Sequence, residues 1–307
     1  MLSFLYKIYF IKFDNDFIDQ FYKRLIIRLF NIFIPVYFYL SHYFLKNGLN
    51  SQKKTKPELI VSLTSFPVRI KKVWLTIETI LRQREKPDKI LLWLYSGEFN
   101  GKQTMPKNLL KLEKRGLEIR FCDENLMPHK KYYYTMLEFP NANIITVDDD
   151  LFYPSDLIEK LLKYHKEYPE SIISTITRQI RVKQNKFMPY REWDYLKVNS
   201  EPDYRNLPIG AGGTLYPAGA LHKDVFKIEI LRKIALKADD LWLKIMCIRN
   251  RTKVASIAGE YPRFFIPVIQ KNKRPLMNIN IGKGQNDKVF NNLLEYYQIP
   301  LTVFNEK

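Results

Sequence analysis

Cysteine is nearly absent from this chain of 307 residues. Only Cys122 and Cys247 occur, far apart and outside any CxxC pattern. That excludes a disulfide framework and a cysteine-based zinc site, and it fits a reducing compartment. No internal repeat is visible. A phosphate-binding glycine loop is missing as well. The one glycine-rich stretch, Ile209-Gly210-Ala211-Gly212-Gly213-Thr214-Leu215-Tyr216-Pro217, lacks the lysine and spacing of a P-loop and is not GxGxxG. It reads equally as a tight turn or as a place where backbone approaches a ligand closely. Helix-turn-helix, zinc-finger and RNP patterns are also lacking, so no nucleic-acid partner is expected. Acidic residues are scarce, 32 against 50 Lys and Arg, which leaves a net charge of +18. Such a balance favours an anionic partner: a membrane surface or a phosphorylated substrate.

What is present divides the chain into a helical segment over 1–50, a linker over 51–57 and one domain over 58–307. In the first part Lys7, Lys12, Lys23, Arg24, Arg28 and Lys46 face only Asp14, Asp16 and Asp19. The apolar run from Leu25 to Leu40 is interrupted by Arg28, Asn31 and Pro35. A span wants about 20 mostly apolar residues, so this run is marginal as one. Its aromatic content and basic flanks suit a segment lying in an anionic membrane interface. It lacks the basic start, clean apolar core and small-residue site of a secretion signal.

From residue 58 apolar runs alternate with helical periodicity. Leu59–Thr64, the Lys89–Tyr95 run, Leu117–Phe121 and Ile144–Val147 read as strands. Helical patterns lie between them over Val73–Leu81, 108–115 and Lys130–Leu137. This is a βαβ series, so the fold expected is α/β with a mainly parallel sheet flanked by helices. Further helices are expected over 156–166, with Ser155 as N-cap, and over 225–236, 239–249 and 289–297. Residues 183–207 show little periodicity and read as a long acceptor-facing loop.

Two acidic groups stand at element boundaries. Asp148-Asp149-Asp150 follows the apolar strand Ile144–Val147. Three adjacent carboxylates repel one another and call for a compensating cation. Mg²⁺ and Mn²⁺ take hard oxygen ligands, and ligands in open α/β sheets bind outside the carboxyl ends of strands. Asp239-Asp240 opens a helix, where the dipole and capping favour carboxylates. One of this pair is expected to be structural, and the other is a candidate general base.

The ordered set Val61-Ser62-Leu63-Thr64-Ser65-Phe66-Pro67, Pro128-His129-Lys130-Lys131, Val147-Asp148-Asp149-Asp150, Gly210–Pro217, Ala238-Asp239-Asp240-Leu241-Trp242 and Asn286-Asp287 resembles a bacterial glycosyltransferase of the GT-A fold. The resemblance is to the family 2-like kind of capsule and lipopolysaccharide assembly and covers about residues 58–300. It implies a Rossmann-like domain, a nucleotide-sugar donor, a divalent metal (Mn²⁺ or Mg²⁺), and a glycan or lipid-linked acceptor. It further implies cytoplasmic work on the inner face of the cell membrane. Donor contacts would fall on Thr64, Ser65, Arg69 and Asp123, and on Lys131 with Lys130 as its rival. Asp148 and Asp150 would match the DxD pair that holds ribose and metal, and Asp149 leaves that register open. Asp240, or Asp239, would activate the acceptor, with inversion at the anomeric centre. A metal-dependent nucleotidyltransferase shares the sheet and the aspartates. A basic, non-enzymatic nucleic-acid-binding module fits the charge but leaves both acidic groups unexplained.

Overall fold

The computed structural model describes residues 2–41, 48–49, 57–270 and 284–305. The linker expected over 51–57 therefore lies, but for its last residue, outside the described residues. The domain is built on an eight-stranded sheet. Its strands are β1 (Leu59–Thr64), β2 (Lys89–Tyr95), β3 (Leu117–Cys122), β4 (Asn143–Thr146), β6 (Ile172–Ser174), β10 (Asn199–Asp203), β12 (Thr214–Tyr216) and β13 (Val254–Ile257). The short strands β5 (Leu151–Phe152), β7 (Thr177–Gln179), β8 (Val182–Lys183), β9 (Lys186–Phe187), β11 (Asn206–Pro208) and β14 (Ile266–Pro267) pair outside it.

Spatial order is β10-β13-β6-β12-β4-β1-β2-β3. β1 runs parallel to β2 and to β4, β2 to β3, and β13 to β6. Only β12 and the edge strand β10 are antiparallel. The α/β architecture with a mainly parallel sheet is thus the one expected. From β1 the chain steps outward through β2 to β3, then returns to place β4 on the other side of β1. That reversal makes a crevice at the carboxyl ends of β1 and β4, where open α/β sheets bind ligands.

The apolar runs explain the layers. Successive strand residues point to opposite faces, and here both faces are covered. Val61 and Leu63 pack with Ile145 and Val147 toward helices α3 (Val73–Leu81) and α6 (Leu157–Glu167). Ile60 and Ile144 face the other way, with Leu91 and Trp93, toward α5 (Lys130–Glu138). On that second side Trp193, Trp242 and Phe290 join α8 (Asp239–Arg249) to α9 (Gln285–Tyr296). Residues 183–207 differ from the expected long loop: they form β8, β9, β10 and most of β11, with Trp193 stacked edge-on against Phe290 at 4.9 Å. Of the aromatic residues that break the periodicity, Tyr190, Trp193 and Tyr204 are core residues and Tyr195 is half-buried. Ser155 does not cap α6. The position before that helix is Asp156, and Ser155 Oγ lies 2.5 Å from Ser3 Oγ.

The N-terminal helices α1 (Leu2–Tyr9) and α2 (Asp16–Ser41) lie on the α3 side of the sheet. Leu2, Tyr6, Tyr9, Phe30, Ile34 and Phe38 are buried in the same core as β1 and α3. At about 1.5–3 kcal/mol each, six such side chains contribute on the order of 10 kcal/mol. Asn31 adds direction: its amide donates to Pro267 O at 2.9 Å, and its Oδ1 accepts from the Ile269 N–H at 2.7 Å. Opposite this seam α2 presents Phe17, Phe21, Ile32, Phe33, Val36 and Leu40 to solvent, all more than half exposed. By length and composition α2 could cross a membrane.

Candidate active site

At the carboxyl end of β4 the three aspartates divide between two cations: Asp148 faces Lys131, while Asp149 and Asp150 share Arg69. Asp149 is buried, and its carboxylate accepts from Ser65 Oγ at 2.5 Å and from Arg69 Nη1 at 2.6 Å. Its backbone carbonyl accepts from Thr76 Oγ1 at 3.1 Å. Burial raises the Asp149 carboxyl even against the pull of Arg69 and Ser65. Asp149 therefore ties the β1 and β4 loops together and has no accessible face for a ligand. Its neighbours stay partly open. Asp148 retains 32% side-chain exposure and Asp150 18%. Arg69 Nη2 reaches Asp150 Oδ2 at 3.0 Å, so one guanidinium bridges two consecutive carboxylates.

Asp148 faces Lys131. The Lys131 ammonium lies 2.9 Å from Asp148 Oδ1 and 2.9 Å from Asp239 Oδ2. Burial works to lower this ammonium, but Asp148, Asp239 and Asp240 together hold it well above the ordinary lysine range. It is a permanent buried cation. Position 131 on the first turn of α5 is set by its neighbour His129. That ring is fully buried, with Nδ1 2.9 Å from Tyr132 Oη and Nε2 2.9 Å from Ala235 O. A carbonyl can only accept, so Nε2 carries the proton and Nδ1 accepts from the phenol. Burial pushes His129 down to about 4, so it stays neutral and serves as a fastener. Lys130 turns away, donating to Asn125 Oδ1 at 2.8 Å. Of the two rival lysines, only Lys131 reaches the aspartates.

Asp239 and Asp240 start α8 after Ala238, with no side-chain cap at that position, and they differ in their surroundings. Burial alone would raise Asp239, but Lys131 outweighs it and the carboxyl is held below its usual value. Burial and the adjacent Asp239 charge raise Asp240 to about 8. Asp240 Oδ1 accepts the Gly210 N–H at 2.9 Å. Gly210 is required by closeness: a Cβ there would sit 2.7 Å from Lys131 Nζ and 3.2 Å from Asp240 Oδ1. The glycine-rich stretch makes a tight turn over Gly210–Gly212, and its backbone comes close to the Lys131 and Asp240 side chains. Tyr153 closes the arrangement. Its hydroxyl accepts from the Asp148 N–H at 2.8 Å and donates to Ala211 O at 3.0 Å, linking the β4 loop to the glycine stretch.

The remaining candidates sit farther along the crevice. Thr64 Oγ1 donates to Trp93 O at 2.8 Å. Asp123, exposed at the carboxyl end of β3, accepts from Ser96 Oγ at 3.3 Å. Asp287 accepts from the Tyr190 N–H at 2.7 Å, which fastens the 190 turn. The roles of Tyr153, His129 and Gly210 were not assigned from sequence. His129 and Gly210 stand inside quoted motifs and Tyr153 lies just beyond one, but nothing in their spacing says what they face.

Five carboxylates (Asp148, Asp149, Asp150, Asp239 and Asp240) thus gather around two cations, Lys131 and Arg69. Among the described residues no group of three or more His, Cys, Asp or Glu is placed to hold a metal alone. The donor set still fits Mg²⁺ or Mn²⁺. Such ions are commonly held by one or two carboxylates and completed by substrate phosphates and water. Asp148 and Asp150 keep exposed carboxylate surface in a site with an excess of negative charge.

No family model matches the chain, and no curated protein matches it. Three solved structures are similar at low identity. Residues 1–349 of S. aureus TarS, a glycosyltransferase, match at 12% identity and a TM-score of 0.43, over 66% of this chain and 58% of that one. The chain thus spans little more than half of that structure. A 4-diphosphocytidyl-2C-methyl-D-erythritol synthase matches at 10% identity and a TM-score of 0.41, over 71% of this chain and 94% of that one. A CMP:2-keto-3-deoxy-manno-octonic acid synthetase complexed with CTP matches at 11% and 0.39, over 65% and 88%. All three TM-scores fall below 0.5, so the case for function rests on the side chains.

Proposed function

We propose that this protein is a nucleotide-sugar-dependent glycosyltransferase that moves a sugar to a hydroxyl of a glycan or lipid-linked acceptor. One observation carries the reading. A carboxylate with a raised proton affinity, Asp240, stands beside a buried cation, Lys131, at the crevice where the sheet reverses. Glycosyl transfer needs both a base for a weakly acidic hydroxyl and positive charge where the leaving diphosphate develops its own.

In this reading Asp240 takes the proton of the acceptor hydroxyl. Its Oδ1 is oriented by the Gly210 N–H, and it retains partial exposure. Asp239 stays ionised and holds Lys131 in place. Lys131 directs positive charge toward Asp148 and the donor phosphates. Arg69 serves the same end at Asp150. A divalent ion held by Asp148 and Asp150 would add neutralisation of the diphosphate. Thr64 and Asp123 border the crevice on the side where the nucleoside would lie. Direct attack assisted by Asp240 inverts the anomeric centre.

Nucleotidyl transfer is the competing reading, and it needs donor phosphates and a metal but no second carboxylate pair. The Asp239–Asp240 pair favours sugar transfer. The exposed aromatic face of α2 and the net charge of +18 support work at an anionic membrane surface, from the cytoplasmic side. The deciding experiment is a screen of purified protein against UDP-, GDP-, CMP- and dTDP-sugars with and without Mn²⁺. Binding and metal-stimulated turnover of at least one are expected. No binding to any would sink the assignment.

A further inference from the structure

A second cavity, of about 410 Å³, opens between the N-terminal helical pair and the domain. Lys12 and Lys23 line it from the α1–α2 side, Thr175 and Ile176 form part of its floor, and Tyr195, Lys197, Tyr261 and Phe264 contribute further walls. We propose that this cavity is the acceptor site and that it binds a phosphate ester, the anchoring group of a phosphorylated acceptor. The inference rests on the sugar-transfer reading and adds the acceptor's chemistry.

Charge is the first argument. Among the described residues no carboxylate forms an ion pair with Lys12, Lys23 or Lys197, whereas Arg263 beside them is already paired with Asp19. Lys23 is held below the ordinary lysine value by burial and by Arg263. Ammonium groups without a paired carboxylate favour an anion, and lysine is a good point-charge partner for phosphate.

Continuity with the catalytic carboxylate is the second. Thr175 Oγ1 donates to Gly212 O at 2.5 Å, and the Ile209 N–H donates to Ile176 O at 2.9 Å. The cavity floor is thereby bonded directly to the stretch that orients Asp240. On the same side Arg178 is buried between the rings of Tyr190 and Tyr195, at 4.7 and 4.2 Å, and its Nε has no hydrogen-bond partner among the described residues. Tyr195 is a cavity wall; burial raises the Tyr190 phenol, and the nearby Asp240 charge adds to that rise. The aromatic rings offer flat faces against which a sugar packs. The third argument is the exposed apolar face of α2, which carries Phe17 and Phe21 on the turns next to Lys23. A phosphate held there would sit at headgroup level beside a bilayer.

A lipid and a soluble phosphorylated sugar are the two sources of such a phosphate, and one titration separates them. Full-length protein is titrated calorimetrically with dodecyl phosphate, glucose 1-phosphate and neutral dodecyl maltoside. The variant Lys12→Gln/Lys23→Gln/Lys197→Gln is compared with the remote pair Lys107→Gln/Lys114→Gln, exposed beside β3 at the opposite edge of the sheet. The cavity variant is expected to weaken phosphate-ester binding about tenfold or more, with the remote pair unchanged. Tighter binding of dodecyl phosphate identifies a lipid source; tighter binding of glucose 1-phosphate identifies a soluble one. Equal affinity in the cavity variant, equal loss in the remote pair, or equally tight binding of dodecyl maltoside would overturn the proposal. Nucleotide-sugar binding is measured alongside. If it persists while the cavity variant binds phosphate esters normally, this inference alone fails. If it is absent while the cavity behaves as expected, the transfer reading alone fails.

Discussion

The ammonium of Lys131 lies 2.9 Å from Asp239 Oδ2 while its other side meets Asp148 Oδ1 at the same distance. One buried side chain therefore joins the aspartates after β4 to the pair that opens α8, elements about a hundred residues apart. In the proposed transfer reaction, donor chemistry and acceptor activation would share this cation.

Lys131→Met should abolish transfer and destabilise the fold. Removing one partner of a buried ion pair costs on the order of 3–5 kcal/mol, because the charges left behind have no compensation. Urea denaturation should show that loss, and the donor screen should show weakened binding. A variant as stable as the parent would mean that the carboxylates are not held by Lys131.

Gly210→Ala adds a methyl group 2.7 Å from Lys131 Nζ and 3.2 Å from Asp240 Oδ1. Lys131 has little freedom to yield, since both its carboxylate partners fix it. A fall in kcat of about tenfold or more is expected, given that small misplacements of catalytic groups are that costly. Thermal stability should change far less than in Lys131→Met.

The raised Asp240 carboxyl has consequences for both rate and stability. A base must be ionised, so kcat/KM should climb with pH to a plateau above about 8. The stability effect has the opposite slope. A carboxyl whose folded value lies above its unfolded value contributes stability that is fully present below the unfolded value, near 4. That contribution is lost as pH rises through about 8. Asp240→Asn should therefore retain donor binding, lose transfer, and be more stable than the parent at alkaline pH. Denaturation series at acid and alkaline pH test the sign. Full transfer activity in this variant would move the base to Asp239.

Asp149→Asn and Asp150→Asn should separate. Asp149 is enclosed by Ser65 and Arg69, so its substitution should lower stability by a few kcal/mol. Asp150 keeps exposed carboxylate surface, so its substitution should weaken Mn²⁺-dependent nucleotide-sugar binding with little effect on melting temperature. Metal-dependent affinity unchanged in Asp150→Asn would remove it from the metal site.

Membrane association is best tested on the outer face of α2. Removing the whole segment would also strip Phe30, Ile34 and Phe38 from the core. Phe17→Lys, Phe21→Lys and Phe33→Lys together alter only exposed positions. This variant should leave the membrane fraction while melting within a few degrees of the parent. Retention in that fraction, or a parent already soluble without lipid, would defeat the interfacial reading.

Much of the fold was legible because strands buried on both faces leave long β-branched runs, as in Leu59–Thr64 and Ile144–Val147. The alternation of such runs with helical periodicity is local, and it implies a parallel sheet although the strands that pair, such as Leu59 with Asn143, are far apart in sequence. The acidic groups were legible as candidates for the same reason: carboxylates placed at strand ends and helix starts stand out in one dimension. What distinguished their members was not local. Asp148, Asp149 and Asp150 are identical in sequence terms. Only the packing of α3 and the β1 loop gave Asp149 to Ser65 and Arg69 and left its neighbours open. Lys130 and Lys131 were equally eligible until the neutral His129 ring fixed how α5 begins, turning one lysine to Asn125 and the other to the aspartates. The sequence alone determined the layers, the acidic groups and the basic, aromatic N-terminal helix, because composition and period act over a few residues. The tertiary structure decided which charge faces which, because an ion pair depends on distances of about 3 Å that only the packed chain defines.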